Sequence, residues 1–277
     1  MKLDPKGLLR DARYALPGLV ERNVEGPDAR QAARVCQRLR RAGLLATCGY
    51  FQRGDSGPDE IVEACVALCA ELDSRSGTYL SVKAPPLGFD AARLDRIAEA
   101  ANTAGLDMMF DAHAPKDTDA TLDAVERMQV RYPRTGLVLP ARWARSESDA
   151  ARFRETGARV RVVKGEWPDP EQPPADLDAA YLSLVSALAG RAAPVAVATH
   201  RPELAEQALS VLIEAGTPCE LEQLRGLPRR RTKAVARRLG VPVRIYVPFG
   251  PGWLPYALDK ALATPHLPRW MLADLLG

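Results

Sequence analysis

Ionisable and polar side chains recur at the ends of short apolar runs along this sequence. They are Lys83, Asp111, Arg161 with Lys164, Thr199 with His200, Glu220 with Glu222, and Tyr246. A charged group directly after an apolar strand is costly to bury unless it is paired or faces a ligand. Structural salt bridges would account for one or two of these residues, but not for polar groups at six strand ends. We therefore predict that the set converges on one site.

The residue types limit the chemistry of that site. No Ser or Cys lies in a recognisable nucleophile elbow, and the three histidines are not spaced as metal ligands, so we predict no metal. Lysine and arginine side chains suit an anionic cofactor or substrate. Two enzyme classes stay open on the residues alone. One uses Lys83 or Lys164 as an aldolase-like Schiff-base lysine, and the other binds a redox cofactor through Arg161 and Lys164.

The elements that carry these residues alternate between β-rich runs and helix-like segments, several of which end in glycine. The eight β-rich runs lie at residues 44–50, 78–83, 106–112, 135–141, 158–164, 194–200, 218–224 and 241–247. Their starts are separated by about 23 to 36 residues, which is the size of one βα unit. An open doubly wound sheet is the alternative, but no Gly-rich phosphate-binding string follows any run. The pattern predicts a (β/α)₈ TIM-like barrel with the site at the carboxyl ends of its strands.

Length and composition fit one globular domain. The chain has 277 residues, of which 47% are hydrophobic and 26% charged, and α/β barrels of about 250 residues are common. The proline-rich stretch 168–178 is too short to separate two domains. We predict a single domain over 1–277, with an N-terminal helical segment at about 1–24.

Charge, cysteine content and hydropathy narrow the partners. A net charge of +3 is too small to indicate a nucleic-acid partner. The five cysteines are an odd number in apolar patterns, which favours buried thiols in a reducing compartment. No apolar stretch reaches the roughly 18 residues of a membrane span. We predict a cytoplasmic protein without an integral membrane segment, peripheral to a membrane if it reduces a quinone.

Several strings, in order and with matching spacing, resemble the proline dehydrogenase family, particularly its short monofunctional members. They are LSVKAPPLGFD, FDAHAPKDTDATLD, VRVVKGEW, VATHRPELAEQAL, CELEQLRGL and RIYVPFGPGWLPYALDKALATP. The resemblance runs from about residue 25 to the C-terminus. It implies a distorted (β/α)₈ barrel of the proline dehydrogenase type that binds FAD. It also implies oxidation of an amine or imino acid by hydride transfer to flavin N5, with a quinone or oxygen as electron acceptor.

The same resemblance implies roles for the matching residues. The catalytic set is Lys83, near flavin N5 and the substrate, Asp111, which holds that lysine, and Arg161, which stabilises the reduced flavin. The cofactor-binding set is Arg161, Val163, Lys164, Gly165, Trp167, Thr199, His200 and Glu220. The substrate-binding set is Glu166, Leu224, Tyr246, Tyr256, Asp259 and Lys260.

The substrate-binding set departs from the family pattern. The family has Y-x-x-R-R on the final helix, where two arginines bind the proline carboxylate, but here Asp259 and Lys260 replace them. The family glutamate three residues further on is Ala263. Glu166 replaces the alanine of K-G-A-Y, and Pro140 stands where the family has a glutamine on the fourth strand. Lysine cannot reproduce the bidentate geometry of arginine.

These departures leave several hypotheses open. The substrate is an amine without a proline-like carboxylate, or one with an extra cation. In the alternative, Glu166 and Asp259 turn away or form salt bridges, Glu166 with Lys260. A further possibility is a catalytically degenerate homologue that acts as a binding or scaffold protein, and the aldolase-like reading at Lys83 also stays open.

Overall fold

Eight short strands pair in sequence order, each parallel to its neighbour, and the last pairs with the first. The computed structural model describes residues 25–72 and 77–262. The strands are β1 (Leu45–Tyr50), β2 (Thr78–Val82), β3 (Asp107–Phe110), β4 (Gly136–Pro140), β5 (Val160–Val163), β6 (Val195–Ala198), β7 (Cys219–Leu224) and β8 (Val243–Phe249). This closed barrel confirms the predicted fold class.

Helices precede β1 and follow every strand. They are α1 (Ala29–Arg41), α2 (Pro58–Glu71), α3 (Ala91–Thr103), α4 (Thr118–Arg131), α5 (Ser146–Arg152), α6 (Leu177–Ala187), α7 (Pro202–Glu214), α8 (Arg230–Arg238) and α9 (Trp253–Leu262). Local signals explain several starts: Asp28 forms a capping box with Gln31, and proline is the first residue of α2 and α7. The predicted N-terminal segment 1–24 and Ala263 lie outside the described residues.

The last strand lies two residues later than predicted. Val241 N–H donates to the Ala236 carbonyl and completes the turn after α8 instead of entering the strand. At the other end, the Phe249 carbonyl accepts a 2.7 Å hydrogen bond from Phe51 N–H, which extends the pairing of β8 with β1. The apolar pattern alone does not reveal either contact.

Alternation along the strands separates an apolar outer layer from a polar barrel interior. In β5, Val160 and Val162 belong to the apolar core shared with the helices, whereas Arg161 alternates with them and faces the barrel interior. In β7, Leu221 joins the same core, while Glu220 and Glu222 face the interior. The interior is therefore filled by ionisable side chains rather than by the branched apolar residues usual in such barrels.

Arg159 is the centre of the buried ion network that fills the barrel. Its side chain is 2% exposed. Its Nε donates to Glu220 Oε1 at 2.6 Å, and its Nη2 donates to Glu222 Oε2 at 2.6 Å. Arg244 Nε donates to the same Glu220 oxygen at 2.9 Å, and the Tyr79 ring lies against both guanidinium groups. Each buried charge thus has an opposite charge in contact, which buried ions require.

The cysteines take the environment expected of structural thiols. Cys36, Cys48, Cys65 and Cys69 are buried free thiols, and Cys219 is half-buried. Burial raises the pKa of the Cys65 and Cys69 thiols to about 12, because it disfavours the thiolate. These two thiols are therefore unreactive near neutral pH.

The ion network generates a prediction about stability. Replacing Arg159 by methionine removes one partner from each of two buried carboxylates, Glu220 and Glu222. We expect the free energy of unfolding to fall by about 3–5 kcal/mol in urea denaturation at pH 7. The control is Arg152→Met, which removes exposed ion pairs to Asp123 and Glu126 and should cost less than about 1 kcal/mol. Equal losses in the two variants would contradict the central role of Arg159.

Candidate active site

A cavity of about 930 Å³ opens at the carboxyl ends of the strands. Fourteen of the residues predicted to form the site line it: Lys83, Asp111, Arg161, Val163, Lys164, Gly165, Glu166, Trp167, Thr199, His200, Leu224, Tyr246, Tyr256 and Lys260. Glu220 and Asp259 do not line it. The structure therefore brings most of the predicted residues to one place.

Glu220 and Asp259 lie next to the cavity rather than on its wall. Glu220 is held deeper in the barrel by Arg159 and Arg244. Glu222, two residues further along β7, lines the cavity instead, because two residues advance a strand by about 6.6 Å. Asp259 lies on α9, close enough to Tyr256 for its charge to contribute to that phenol's raised pKa.

Arg161 joins the buried ion network to the cavity. Its Nη1 donates to Glu222 Oε1 at 2.8 Å, and its Nη2 pairs with Asp111 Oδ1. Burial alone would raise the pKa of Glu222, but Arg161 and Arg159 outweigh it and hold that pKa well below its usual value. The Nε of Arg161 is buried without a hydrogen-bond partner among the described residues. Arg161 thus keeps one buried donor without a protein partner beside the cavity.

Asp111 collects donors from three strands, β2, β5 and β8, and so fixes the floor of the cavity. Besides Arg161, it accepts hydrogen bonds from Ser81 Oγ at 2.6 Å and from Tyr246 OH at 3.0 Å. Lys83 Nζ lies 3.7 Å from Asp111 Oδ2. A carboxylate with this many donors is held in one position.

Lys83 is held from three sides. Its Nζ donates to the Tyr50 carbonyl at 3.0 Å and lies 4.0 Å from the centre of the Phe51 ring, in addition to facing Asp111. Burial lowers the pKa of Lys83, and the Asp111 charge opposes that shift. The ammonium group is therefore positioned by the protein and directed at the carboxylate side of the cavity.

The position of Tyr246 depends on a glycine in the neighbouring strand. A Cβ on Gly49 would lie 1.9 Å from the Tyr246 hydroxyl, so no larger residue fits there. Burial raises the pKa of Tyr246, and the nearby Asp111 charge raises it further. The phenol therefore stays protonated and donates to Asp111.

His200 ties β6 to β7 at the cavity edge. Its Nδ1 lies 2.8 Å from the Pro228 carbonyl, and its Nε2 accepts the Leu224 N–H at 3.0 Å. Those partners assign a neutral ring with the proton on Nδ1. Both ring nitrogens are thus engaged by the protein backbone.

Glu166 and Lys260 form an ion pair across the mouth of the barrel. Their side chains are 45% and 43% exposed, and Tyr256 OH donates to Glu166 Oε2 at 3.4 Å. This contact is the salt-bridged alternative considered from the sequence. It neutralises the carboxylate at position 166, and it equally occupies the lysine that replaces a family arginine.

Several residues of the cavity wall were not among the predicted site residues. The chief ones are Phe51, His113, Trp143 and Gln223. Phe51 packs edge-on or tilted against three aromatic rings, those of Tyr246, Trp253 and Tyr256. Phe51 immediately follows β1, so its position at a strand end was the available signal.

The described residues contain no group of three or more side chains able to hold a metal ion. Among the same residues, no helix is both long and apolar enough to cross a bilayer.

Gly165 follows β5 with φ of +94°, and a Cβ there would lie 2.8 Å from the Cβ of Pro140. We expect Gly165→Ala to lower the free energy of unfolding by about 2–3 kcal/mol, because it adds a clash to an unfavourable backbone conformation. Gly226 has φ of +99° with open space around it. Gly226→Ala is therefore a matched control that bears only the backbone cost of about 1 kcal/mol. Urea denaturation measures both, and equal losses would rule out the contact with Pro140.

Comparisons with known proteins agree with this geometry. The family model described as proline dehydrogenase matches residues 33–256. Proline dehydrogenase 1 of Bacillus subtilis is 24% identical over 92% of this chain and 90% of its own length. Proline dehydrogenase of Deinococcus radiodurans is 26% identical over 96% of this chain and 92% of its own.

Solved structures show the same fold. Proline utilization A (PutA) from Bdellovibrio bacteriovorus superposes with a TM-score of 0.73 at 17% identity, over 85% of this chain and 31% of that chain. This chain thus spans about a third of that larger protein. Because the family model covers most of the sequence, the chain belongs to the proline dehydrogenase family, whose members are flavin-dependent oxidoreductases acting on CH–NH groups.

Proposed function

We propose that this chain binds FAD at the barrel mouth and oxidises the C–N bond of a small amine or imino acid. One observation carries the proposal. The Arg161 guanidinium is buried on the cavity wall, is fixed by Asp111 and Glu222, and keeps one donor without a protein partner. Family membership favours this redox chemistry over a Schiff base at Lys83.

The cavity fits an anionic, planar cofactor in three respects. Its volume of about 930 Å³ lies near the upper end of the about 300–1,000 Å³ usual for small-molecule pockets. Lys164 is exposed on the wall and has no ion-pair partner among the described residues. Gly165 presents backbone without a side chain, which allows close approach.

The cavity residues would have separate roles in cofactor binding and amine oxidation. FAD supplies, when bound, a two-electron acceptor that the protein lacks. Arg161 offers a fixed positive charge where negative charge develops on reduction. Lys164 and Gly165 would hold the cofactor, with Thr199, His200, Val163 and Trp167 around it. Phe51 and Tyr246 exclude water from the floor of the cavity.

Reconstituted protein should absorb at about 450 nm and bleach when an amine substrate is added without oxygen. Arg161→Lys keeps the charge but loses the Nε donor, so we expect FAD affinity to fall by about tenfold or more. Flavin fluorescence measures that affinity. Arg225→Lys is the control, because Arg225 is exposed and outside the cavity. Protein that stays colourless with added FAD would instead support a degenerate binding protein.

We propose further that the substrate lacks a proline-like carboxylate. Two family arginines are replaced by Asp259 and Lys260, and Lys260 is paired with Glu166. Of the other cavity cations, Lys83 and Arg161 already contact Asp111, and Lys164 lies on the loop after β5 and is assigned to the cofactor. Among the described residues, none on the α9 side then offers a carboxylate the bidentate partner it needs. Proline is therefore excluded because its carboxylate lacks cationic partners here, rather than because Glu166 repels it.

This specificity can be tested by restoring positively charged side chains on the α9 side of the cavity. Wild type should reduce its flavin with pyrrolidine more efficiently than with proline. In Glu166→Ala/Asp259→Arg/Lys260→Arg, the ratio of kcat/KM for proline to that for pyrrolidine should rise by about 30-fold or more, since each contact regained is worth about 2–5 kcal/mol. Glu171→Ala removes an exposed charge near the same loop and should leave the ratio unchanged. Robust proline turnover by wild type would overturn the proposal.

For the electron acceptor we propose a quinone or molecular oxygen, the acceptors expected from the resemblance to the proline dehydrogenase family. A cytoplasmic location stays a prediction.

A further inference from the structure

We propose that His113 accepts the proton of the substrate nitrogen, an inference that rests on the proposed amine oxidation. The reaction requires a neutral nitrogen, since its lone pair must form the new C=N bond. A secondary amine is protonated at neutral pH, so a group on the cavity wall must remove that proton. General bases of this kind are most often histidines.

His113 has the geometry of such a base. It lies two residues after Asp111 and lines the cavity. Its Nδ1 is 3.2 Å from Asp117 Oδ2, so the carboxylate group accepts the Nδ1–H. The Trp167 ring packs beside it with centroids 6.1 Å apart. With Nδ1 protonated, Nε2 carries the lone pair, and no described residue hydrogen-bonds to it.

The carboxylates of the cavity wall are less suited to the task. Asp111 is paired with Arg161 and accepts hydrogen bonds from two hydroxyl groups. Glu222 lies between Arg159 and Arg161, which hold its pKa well below its usual value. Glu166 is paired with Lys260. Each of them would have to break an ion pair to accept a proton.

The other nitrogen bases are also engaged. His200 Nε2 already accepts the Leu224 N–H. Lys83 Nζ is already engaged, because it donates to the Tyr50 carbonyl and faces Asp111. His113 is thus the described cavity residue with an imidazole nitrogen available to a ligand. The groups packed against it are Asp117, on its own loop, and the uncharged Trp167, from the loop after β5.

In the proposed step, the substrate loses one proton from nitrogen and one hydride from the neighbouring carbon. The N–H⁺ bond of the substrate breaks, and its proton moves to His113 Nε2. The nitrogen lone pair then forms the C=N bond while the neighbouring C–H bond breaks. FAD, when bound, would supply the two-electron acceptor for that hydride, and an iminium product would remain. Asp117 stabilises the imidazolium that forms, as an acidic partner does for other catalytic histidines.

The first test examines the ring itself, without turnover. Two-dimensional NMR of ¹⁵N-histidine-labelled protein reports the tautomer of His113, assigned with His113→Gln. We expect the Nδ1–H tautomer in wild type, and a shift toward Nε2–H in Asp117→Asn. An Nε2–H ring in wild type, or one unaffected by Asp117→Asn, would contradict the proposal.

The second test measures anaerobic flavin reduction by two amines. With pyrrolidine at pH 7, His113→Gln should slow reduction by about 10²-fold or more, with recovery as the pH rises and the free amine becomes abundant. With the less basic 3,3-difluoropyrrolidine the loss should be much smaller. Asp123→Asn, an exposed change on α4, is the matched control and should behave as wild type.

The outcomes separate this proposal from the proposed function. If His113→Gln binds FAD and loses activity equally with both amines at every pH, His113 acts only in structure. Unchanged rates would equally overturn the inference. If wild type itself reduces no flavin with any amine, the proposed function fails, whereas the tautomer measurement still decides whether His113 is arranged as a base.

Discussion

The chain of buried ion pairs through the barrel is the constraint on which the site depends. It runs from Arg244 through Glu220, Arg159 and Glu222 to Arg161, which contacts Asp111. A buried charge without a partner would be expensive, so each member fixes the position of the next. Because this series of ion pairs ends at the cavity floor, the barrel core and the floor residues form one rigid unit.

The two halves of the site differ in how they are held. The floor comes from strand residues whose side chains are mostly buried and multiply bonded, such as Asp111 and Arg161. The opposite wall comes from the loop after β5 and from α9, where Glu166 and Lys260 are nearly half exposed. Surface ion pairs contribute little to stability. Substitutions on that wall therefore cost the fold little.

Two histidines that are alike in sequence differ in the hydrogen bonds of their ring nitrogens. Both follow a strand, and both line the cavity. Both ring nitrogens of His200 hydrogen-bond to backbone groups, one in the loop after β7 and one at the end of that strand. In His113 only Nδ1 is bonded within the described residues, to Asp117, and Nε2 has no partner there. The difference lies in which loops reach each ring, and that difference separates a positioning histidine from one able to exchange a proton with a ligand.

The sequence by itself determined the eight-stranded barrel, because the β-rich runs and their spacing are local properties, and strings such as VRVVKGEW indicated the family. It misplaced β8 by two residues, since a hydrogen bond to Ala236 and another to Phe51 decide that strand's ends. Only the tertiary structure decided that Glu222 rather than Glu220 reaches the cavity, since alternation fixes the face of a side chain but not its depth. It also decided the pairing of Glu166 with Lys260, which are 94 residues apart in sequence. Contacts between loops depend on how far each loop reaches across the barrel, and no local pattern encodes that distance.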